Sequence, residues 1–235
     1  AALAEPKNTL LLLCSPHNPT GKVWRREELQ TMAALCQKHG VRVISDEIHM
    51  DMTWGDHRHI PWSEVAQGPW ALFTSGSKSF NIPAFTGAYG FIPEANCRDS
   101  YLQALKARDG LSSPSVPALL AHIAAYRDGA PWLNALRDYL QENLRFVADT
   151  LNRAFPALRW QPPEATYLAW IDLRPLNIDD RALQQALIAG QKVAIMPGYT
   201  YGHEGNGFLR LNVGCPREKL ERGVAGLIAA LRSLS

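Results

Sequence analysis

The sequence predicts an α/β fold in its first part and a smaller α+β domain in its last part. Two short apolar segments flank a helical pattern over residues 10–45, which is typical of a strand–helix–strand unit with parallel strands. Beyond residue 130, a long helical pattern is followed by short strands and helices in a less regular order. Polar residues also follow three strand-like segments of the first part, at the positions where open α/β sheets bind ligands.

Composition and charge exclude several classes of function. The chain has 235 residues, 46% of them hydrophobic and 20% charged, with a formal net charge of +2, as in ordinary globular proteins. Without a basic block, nucleic acid or an anionic membrane is not expected as a direct partner. The sequence shows no membrane-length apolar run and no secretion leader. The four cysteines are widely scattered and form no metal-type pair, so we predict no metal site and a reducing, cytoplasmic location.

The first elements form the strand–helix–strand unit. Residues 10–14 are continuously apolar, which predicts a strand buried on both faces. Residues 15–21 contain two prolines, an asparagine and a glycine, and predict a fixed loop. Residues 26–39 predict a helix with acidic residues at its start, basic residues at its end and Gly40 as its cap. Residues 41–45 predict a second buried strand.

The middle of the chain completes the sheet and adds helices. Residues 51–67 predict irregular structure because they are rich in turn formers and tryptophan. Strands are predicted at residues 71–73 and 87–92, and helices at residues 95–108 and 114–127.

The last part begins with a long amphipathic helix over residues 132–155. Shorter elements follow, predicted as strands at 166–171, 193–196 and 208–213 and as helices at 182–189 and 216–231. This change of pattern places the domain boundary near Gly129, between residues 1–130 and 131–235.

Three residues that follow predicted strands predict the chemistry of the site. Asn18, Asp46 and Lys78 can converge, because the carboxyl ends of parallel strands meet at one edge of a sheet. Pyridoxal phosphate needs a lysine for its aldehyde, a carboxylate for its protonated pyridine nitrogen and a donor for its 3-oxygen. The hydroxyl-rich run around Lys78 also offers groups for an anion.

Ordinary structural roles are the alternatives at each position. Lys78 taken alone reads as a solvated lysine in a surface turn, and the alternative for Asp46 is the cap of a turn. His49 reads as a buried core histidine, and Arg210 as a strand residue that faces water.

Four ordered motifs carry a resemblance to a known family. They are SPHNPTG at residues 15–21, SDEIHMD at 45–51, TSGSKSFN at 74–81 and FLRLN at 208–212. With them the chain resembles the fold-type I pyridoxal-phosphate enzymes of the class I/II aminotransferase superfamily. Within that superfamily it is most similar to the MalY/PatB branch of cystathionine β-lyases.

The resemblance implies a fold and its extent. Residues 1–130 would be the C-terminal portion of a large pyridoxal-phosphate-binding domain with a mostly parallel sheet, and residues 131–235 the small α+β domain. The family's N-terminal region supplies a phosphate loop, a ring-stacking aromatic residue and a tyrosine from the partner subunit. Because this region is absent from the sequence, we expect the chain alone to be inactive.

The resemblance also implies residue roles. Lys78 would bind the cofactor aldehyde and act as the catalytic base. Further cofactor contacts are implied for Asp46 at the pyridine nitrogen, Asn18 at the 3-oxygen, Ser75 and Ser77 at the phosphate, and His49. Arg210 would bind the substrate α-carboxylate, a task that suits guanidinium.

Two departures from the aminotransferase pattern favour a lyase. The chain has His49 where transaminases usually carry tyrosine, and Thr86 where many carry a phosphate-binding arginine. The resemblance thus implies a carbon–sulfur β-lyase that cleaves L-cystathionine or cysteine S-conjugates, as in methionine biosynthesis, and a homodimer at full length. The alternatives are an aminotransferase on the same scaffold and a regulatory protein that binds the transcriptional activator of maltose genes.

Overall fold

The computed structural model describes residues 1–111 and 113–234, which form two compact units. The first unit contains Ala1–His17 and Lys22–Ala135. The second unit contains Asn18–Gly21 together with the chain from Leu136 onward. The domain boundary expected between residues 130 and 131 stays a prediction. Among the described helices, none combines the length and apolar character that crossing a membrane requires.

A four-stranded sheet forms the centre of the first unit. Its strands are β1 (Leu10–Cys14), β2 (Arg42–Asp46), β3 (Trp70–Thr74) and β4 (Tyr89–Phe91), in the order β1-β2-β3-β4. The first three strands are parallel and β4 is antiparallel to β3. The prediction of an α/β fold with a mostly parallel sheet is confirmed.

Helix α1 (Arg26–His39) connects β1 to β2 as predicted. Glu28 accepts the Arg25 backbone N–H at the start of the helix, and Gly40 ends it in the left-handed conformation with φ 65°. Its buried residues pack with β1, β2 and the turn at Trp62 into one apolar core: Leu13, Leu29, Ala33, Cys36, Val41, Val43, Trp62 and Val65.

The expectation that β1 is buried on both faces is wrong. Leu13 is buried against the α1 side of the sheet, whereas Leu12 is 71% exposed. Successive side chains of a strand point to opposite faces, and within the described residues only the α1 face of β1 is covered. The opposite face carries Leu12 and Cys14 of β1, which are in register with Ile44 and Asp46 of β2.

Four further helices lie in the described part of the first unit, and the last of them continues into the second unit. They are α2 (Gly76–Ser79), α3 (Ala95–Gln103, extended by a π-helical turn over Ala104–Arg108), α4 (Val116–Asp128) and α5 (Ala130–Ala154). The Ser115 side chain caps α4 by accepting the Ala118 N–H, which explains the start of this helix.

The second unit contains an antiparallel sheet of β5 (Leu168–Asp172), β6 (Met196–Pro197) and β7 (Phe208–Asn212), with β7 in the centre. Its helices are the rest of α5, α6 (Asp180–Gln185, continued by a π-helical turn over Ala186–Gln191) and α7 (Arg217–Arg232). Strand β6 is shorter and later than predicted, because the preceding helix extends to Gln191 and residues 193–195 do not join the sheet.

Candidate active site

Lys78 lies on α2, four residues beyond the end of β3. Ser75 starts this helix by accepting the Ser77 backbone N–H at its Oγ, 3.1 Å away. Lys78 is half-buried, and no hydrogen bond or ion pair holds its Nζ within the described residues. The amine is therefore available for covalent chemistry.

Asp46 ends β2, next to Cys14 of β1 and Phe73 of β3 in the sheet register. Its Oδ1 accepts the Ile48 N–H at 3.1 Å, so the turn-capping role considered from sequence is present. The side chain is exposed, and it lines a cavity of about 380 Å³ whose other walls are Leu12, Leu13, Cys14, Ile44 and Phe73. A carboxylate at the edge of an apolar sheet surface is a suitable partner for a cationic ring nitrogen.

The segment after Asp46 is a turn held by two further acids. Glu47 is 1% exposed and accepts the Ser45 hydroxyl and the Trp62 N–H at Oε1, both at 2.8 Å. Its Oε2 lies 2.7 Å from His59 Nε2. These contacts fix the end of β2 to the loop that precedes Trp62.

Asp51 connects the same turn to the lysine helix. Its Oδ2 accepts the Ser79 hydroxyl at 2.7 Å and the Tyr126 hydroxyl at 3.3 Å. Burial is the main reason that the pKa of Tyr126 lies well above its usual value, with further raising by Tyr89 and Asp51. Tyr126 is therefore a neutral donor, and Asp51 holds α2 against the Asp46 turn.

His49 lies in this turn and is only 3% exposed. Its backbone carbonyl accepts the Met52 N–H at 3.0 Å, which closes the turn. The sequence allows His49 to contact the cofactor or to be a core residue. Both roles require an imidazole in a fixed position, and the burial of His49 fixes it.

Ser75 and Ser77 differ in what their hydroxyls contact. Ser75 is 4% exposed, and its Oγ donates to the Gly87 carbonyl at 2.7 Å and lies 3.1 Å from His122 Nε2. Ser77 is half-buried, and within the described residues its hydroxyl has no hydrogen-bond partner. The Ser77 hydroxyl is thus available for an anion, and the phosphate contacts expected for Ser75 and Ser77 stay predictions.

Asn18 and Arg210 come together in the second unit. Arg210 Nη1 donates to Asn18 Oδ1 at 3.0 Å, although the two residues are 192 positions apart. The guanidinium also lies over the Tyr201 ring, with Cζ 5.1 Å from the centroid, and Nη2 lies 3.4 Å from Met196 Sδ. None of the ion pairs of residues 1–111 and 113–234 involves Arg210. Arg210 is therefore a positioned cation that can bind a carboxylate.

The loop that carries Asn18 requires glycine at its end. Gly21 has φ 68°, and a Cβ there would lie 2.4 Å from Pro163 Cβ and 2.5 Å from the Ala165 carbonyl oxygen. Only glycine combines this conformation with such a close approach. The glycine of the SPHNPTG motif thus holds the Asn18 loop against the second unit.

The structure groups the predicted residues in two sets. Asp46, His49, Ser75, Ser77 and Lys78 belong to the first unit, and Asn18 and Arg210 to the second. Sequence reasoning missed Glu47, Asp51 and His122 as residues that hold the site. The first two lie inside a motif that was noted for Asp46 and His49, whereas no local pattern marks His122 on α4.

Comparison with known proteins gives the family context. The model of the aminotransferase class I and II family matches residues 1–227. Protein MalY of Escherichia coli K12 is 70% identical over 234 residues, and the cystathionine beta-lyase PatB of Bacillus subtilis is 37% identical over 232 residues. These alignments include 100% and 97% of this chain but 60% of each relative, so the chain spans about 60% of their length.

A solved structure is similar over almost the whole chain. The crystal structure of cystalysin from Treponema denticola, which contains a pyridoxal 5′-phosphate cofactor, superposes with a TM-score of 0.91 at 30% sequence identity. The superposition includes 99% of this chain and 60% of cystalysin. The expected resemblance to fold-type I enzymes and to MalY-like proteins is thereby confirmed.

Proposed function

Because the chain belongs to the aminotransferase class I and II family, we propose that it carries the lysine-bearing part of a pyridoxal-phosphate-dependent carbon–sulfur β-lyase. Its similarity to PatB and cystalysin supports the reaction class and the cofactor. The expected substrate is a small amino-acid thioether such as L-cystathionine.

The residues present fit pyridoxal phosphate. Lys78 would hold the cofactor aldehyde, since its amine is half-buried and makes no ion pair in the described part of the chain. Asp46 would pair with the pyridine nitrogen at the apolar sheet face that it borders. Asn18 would donate its amide N–H to the 3-oxygen, because its Oδ1 already accepts from Arg210. His49 would contact the ring from the same turn as Asp46, and Ser77 would bind the phosphate.

The bound cofactor supplies an electron sink that makes the α-proton of an amino acid acidic. Arg210 would hold the substrate carboxylate, and the Lys78 amine would take the proton from Cα. Loss of the thiolate from Cβ, followed by addition of water, yields the thiol, pyruvate and ammonia. Cystathionine would in this way give homocysteine as the thiol product.

The bond from Arg210 to Asn18 is the observation that carries the proposal. This bond holds the Arg210 guanidinium beside Asn18, the side chain expected at the cofactor ring. Among the described residues, the guanidinium has no carboxylate partner. A site that binds the cofactor ring and a carboxylate together selects amino acids as substrates.

The test is release of pyruvate from L-cystathionine without a keto-acid acceptor, in this chain and in a form extended to the length of its relatives. Lys78→Ala should abolish turnover and the visible absorbance of the lysine-bound cofactor. Exposed Lys192→Ala is the control and should change neither. Retained turnover in Lys78→Ala would overturn the proposal, and strict dependence on an acceptor would favour an aminotransferase instead.

The homodimer and the regulatory partner implied by the resemblance stay predictions. Pull-down of a transcriptional activator with the Lys78→Ala variant separates a regulatory role from catalysis. Binding by the variant would support that role, and binding lost together with the cofactor would tie it to the loaded site.

A further inference from the structure

Three side chains form a row across the sheet of the second unit. In the sheet register, Arg210 on β7 lies opposite Trp170 on β5 and opposite Met196 on β6. Directly opposed residues of neighbouring strands point to the same face of a sheet. The other face packs into the core, since Ile171 and Leu209 are buried. Arg210 therefore points away from the core, between a tryptophan and a methionine.

Tyr201 packs on this row. It ends the short helical turn Gly198–Tyr201 that follows β6. Its ring meets Trp170 edge to face, with the ring centroids 5.4 Å apart and an interplanar angle of 85°. Its hydroxyl donates to Met196 Sδ at 2.9 Å. The tyrosine is thus fixed at its ring and at its hydroxyl, although the side chain is partly exposed to solvent.

The partners of the Arg210 guanidinium are all neutral. Its Cζ lies 5.1 Å from the centroid of the Tyr201 ring, within the range of a cation–π contact. Nη2 donates to Met196 Sδ at 3.4 Å, and Nη1 donates to Asn18 Oδ1 at 3.0 Å. A ring face, a thioether and an amide oxygen orient the cation but do not neutralise it.

The hydrogens of the guanidinium can be assigned to these partners. Each terminal nitrogen carries two hydrogens, and in the described part of the chain one of each pair is given to Asn18 or to Met196. A carboxylate that binds end-on takes one hydrogen from each terminal nitrogen. The contacts thus fix the guanidinium and leave it the number of hydrogens that a bidentate carboxylate needs.

We propose that Met196 and Tyr201 are positioning residues that hold the Arg210 guanidinium for the substrate α-carboxylate. The inference rests on the role of Arg210 in the proposed function. The Tyr201 hydroxyl holds the Met196 sulfur, the sulfur holds Nη2, and Asn18 holds Nη1. A thioether suits this task because it is a weak, uncharged acceptor, whereas a carboxylate in its place would compete with the substrate.

The first experiment compares two ligands in the cofactor-loaded form that is extended to the length of the relatives. L-methionine has no leaving group at Cβ, and 3-(methylthio)propylamine is the same molecule without its carboxylate. Met196→Leu keeps the volume of the side chain and removes the acceptor. It should weaken L-methionine binding about fivefold, as expected for the loss of one hydrogen bond, and leave binding of the amine unchanged.

The control is Met32→Leu on α1, which should change the binding of neither ligand. Equal weakening of both ligands in Met196→Leu, or of neither, would overturn the inference.

The second experiment tests whether Tyr201 acts through Met196. Tyr201→Phe keeps the ring over Arg210 and removes the hydroxyl that holds the sulfur. In a double variant with Met196→Leu, L-methionine binding should be no weaker than in Met196→Leu alone, because the hydroxyl has then lost its partner. Two effects that multiply would show that the residues act independently and would contradict the proposed series of contacts.

A third experiment depends on neither cofactor nor catalysis. The chain has four methionines, so ¹³C-methyl labelling gives few signals, and that of Met196 is the one lost in Met196→Leu. We expect this signal to shift in Tyr201→Phe and in Arg210→Lys but not in Arg222→Lys on α7. An unmoved signal in Tyr201→Phe or Arg210→Lys would refute the contacts even if the lyase is confirmed. Shifts in a protein without lyase activity would confirm the contacts and remove the proposed reaction.

Discussion

Replacement of Glu47 tests whether its contacts hold the turn that carries Asp46 and His49. The carboxylate is buried and receives donors from Ser45, from the Trp62 backbone and from the His59 ring. Two substitutions separate the number of hydrogen bonds from the charge. Alanine removes every acceptor, whereas glutamine keeps the shape of the side chain.

The magnitudes follow from the partners that each variant leaves. Glu47→Ala leaves the Trp62 N–H and the Ser45 hydroxyl without an acceptor in the protein interior. Each buried unsatisfied group lowers the free energy of unfolding by about 1–3 kcal/mol. Together with the His59 contact, we expect a loss of about 3–5 kcal/mol in the free energy of unfolding. In Glu47→Gln, the amide oxygen can accept from Ser45 and Trp62, and the NH₂ can donate to His59. This variant should lose only about 1 kcal/mol, because the contacts lose their charge assistance.

The assay is equilibrium unfolding in urea, followed by tryptophan fluorescence, with the slope of each transition checked for change. Glu27→Gln, an exposed acid in the first turn of α1, is the control and should change stability by less than about 0.5 kcal/mol. The reasoning is refuted if Glu47→Gln costs as much as Glu47→Ala, or if Glu47→Ala behaves like the control.

Three further predictions concern the Arg210–Asn18 contact, the Gly21 turn and the start of α1. Arg210→Lys should raise the KM for the amino-acid substrate about tenfold or more while changing kcat less, because an ammonium cannot bind a carboxylate bidentately and also donate to Asn18. Arg222→Lys on α7 is the control. An unchanged KM in Arg210→Lys would contradict the assignment. Gly21→Ala should destabilise the chain by about 2 kcal/mol or more in urea unfolding, whereas Gly55→Ala, with φ 55° and no atom within 4 Å of the added Cβ, should cost about 1 kcal/mol; equal losses would show that the contact with Pro163 is not limiting. Hydrogen bonds from the Lys22 side chain and the Arg25 backbone lower the pKa of Glu28 to about 2. The stability that the Glu28 carboxylate contributes to α1 should therefore be complete above its ordinary pKa of 4.5 and lost as pH falls towards 2. A ¹³C NMR titration of the Glu28 carboxyl with a midpoint near 4.5 would disprove this.

The sequence predicted elements best where local chemistry and tertiary packing agree. Helix α1 has an acidic first turn, an apolar stripe and a glycine cap, and it forms at the predicted residues. Strand β6 illustrates the opposite case. The apolar residues 193–195 have strand propensity, but their backbone does not join the ladder to β7, and only Met196–Pro197 pairs.

The candidate site was predictable to the extent that its residues follow strands. Asp46 and Lys78 were found in this way, since parallel strands end at one edge of a sheet. The exposure of Asp46 was not foreseen, because four consecutive leucines before Cys14 indicate burial on both sides and cannot show which face is covered. His122 was missed for a different reason. It reaches Ser75 from a helix 47 positions away, and a single histidine on a helix carries no local signal.

The association of Asn18–Gly21 with the second unit affects how this protein can be divided. A fragment that begins at Leu136 would lack the loop that approaches Pro163 and Ala165 and would lose the amide that orients Arg210. The substrate-binding arginine therefore depends on a segment encoded more than a hundred residues earlier. Experiments that express or exchange the C-terminal part must supply this loop, and a chimaera that joins two relatives at residue 136 has to match their loops as well as their domains.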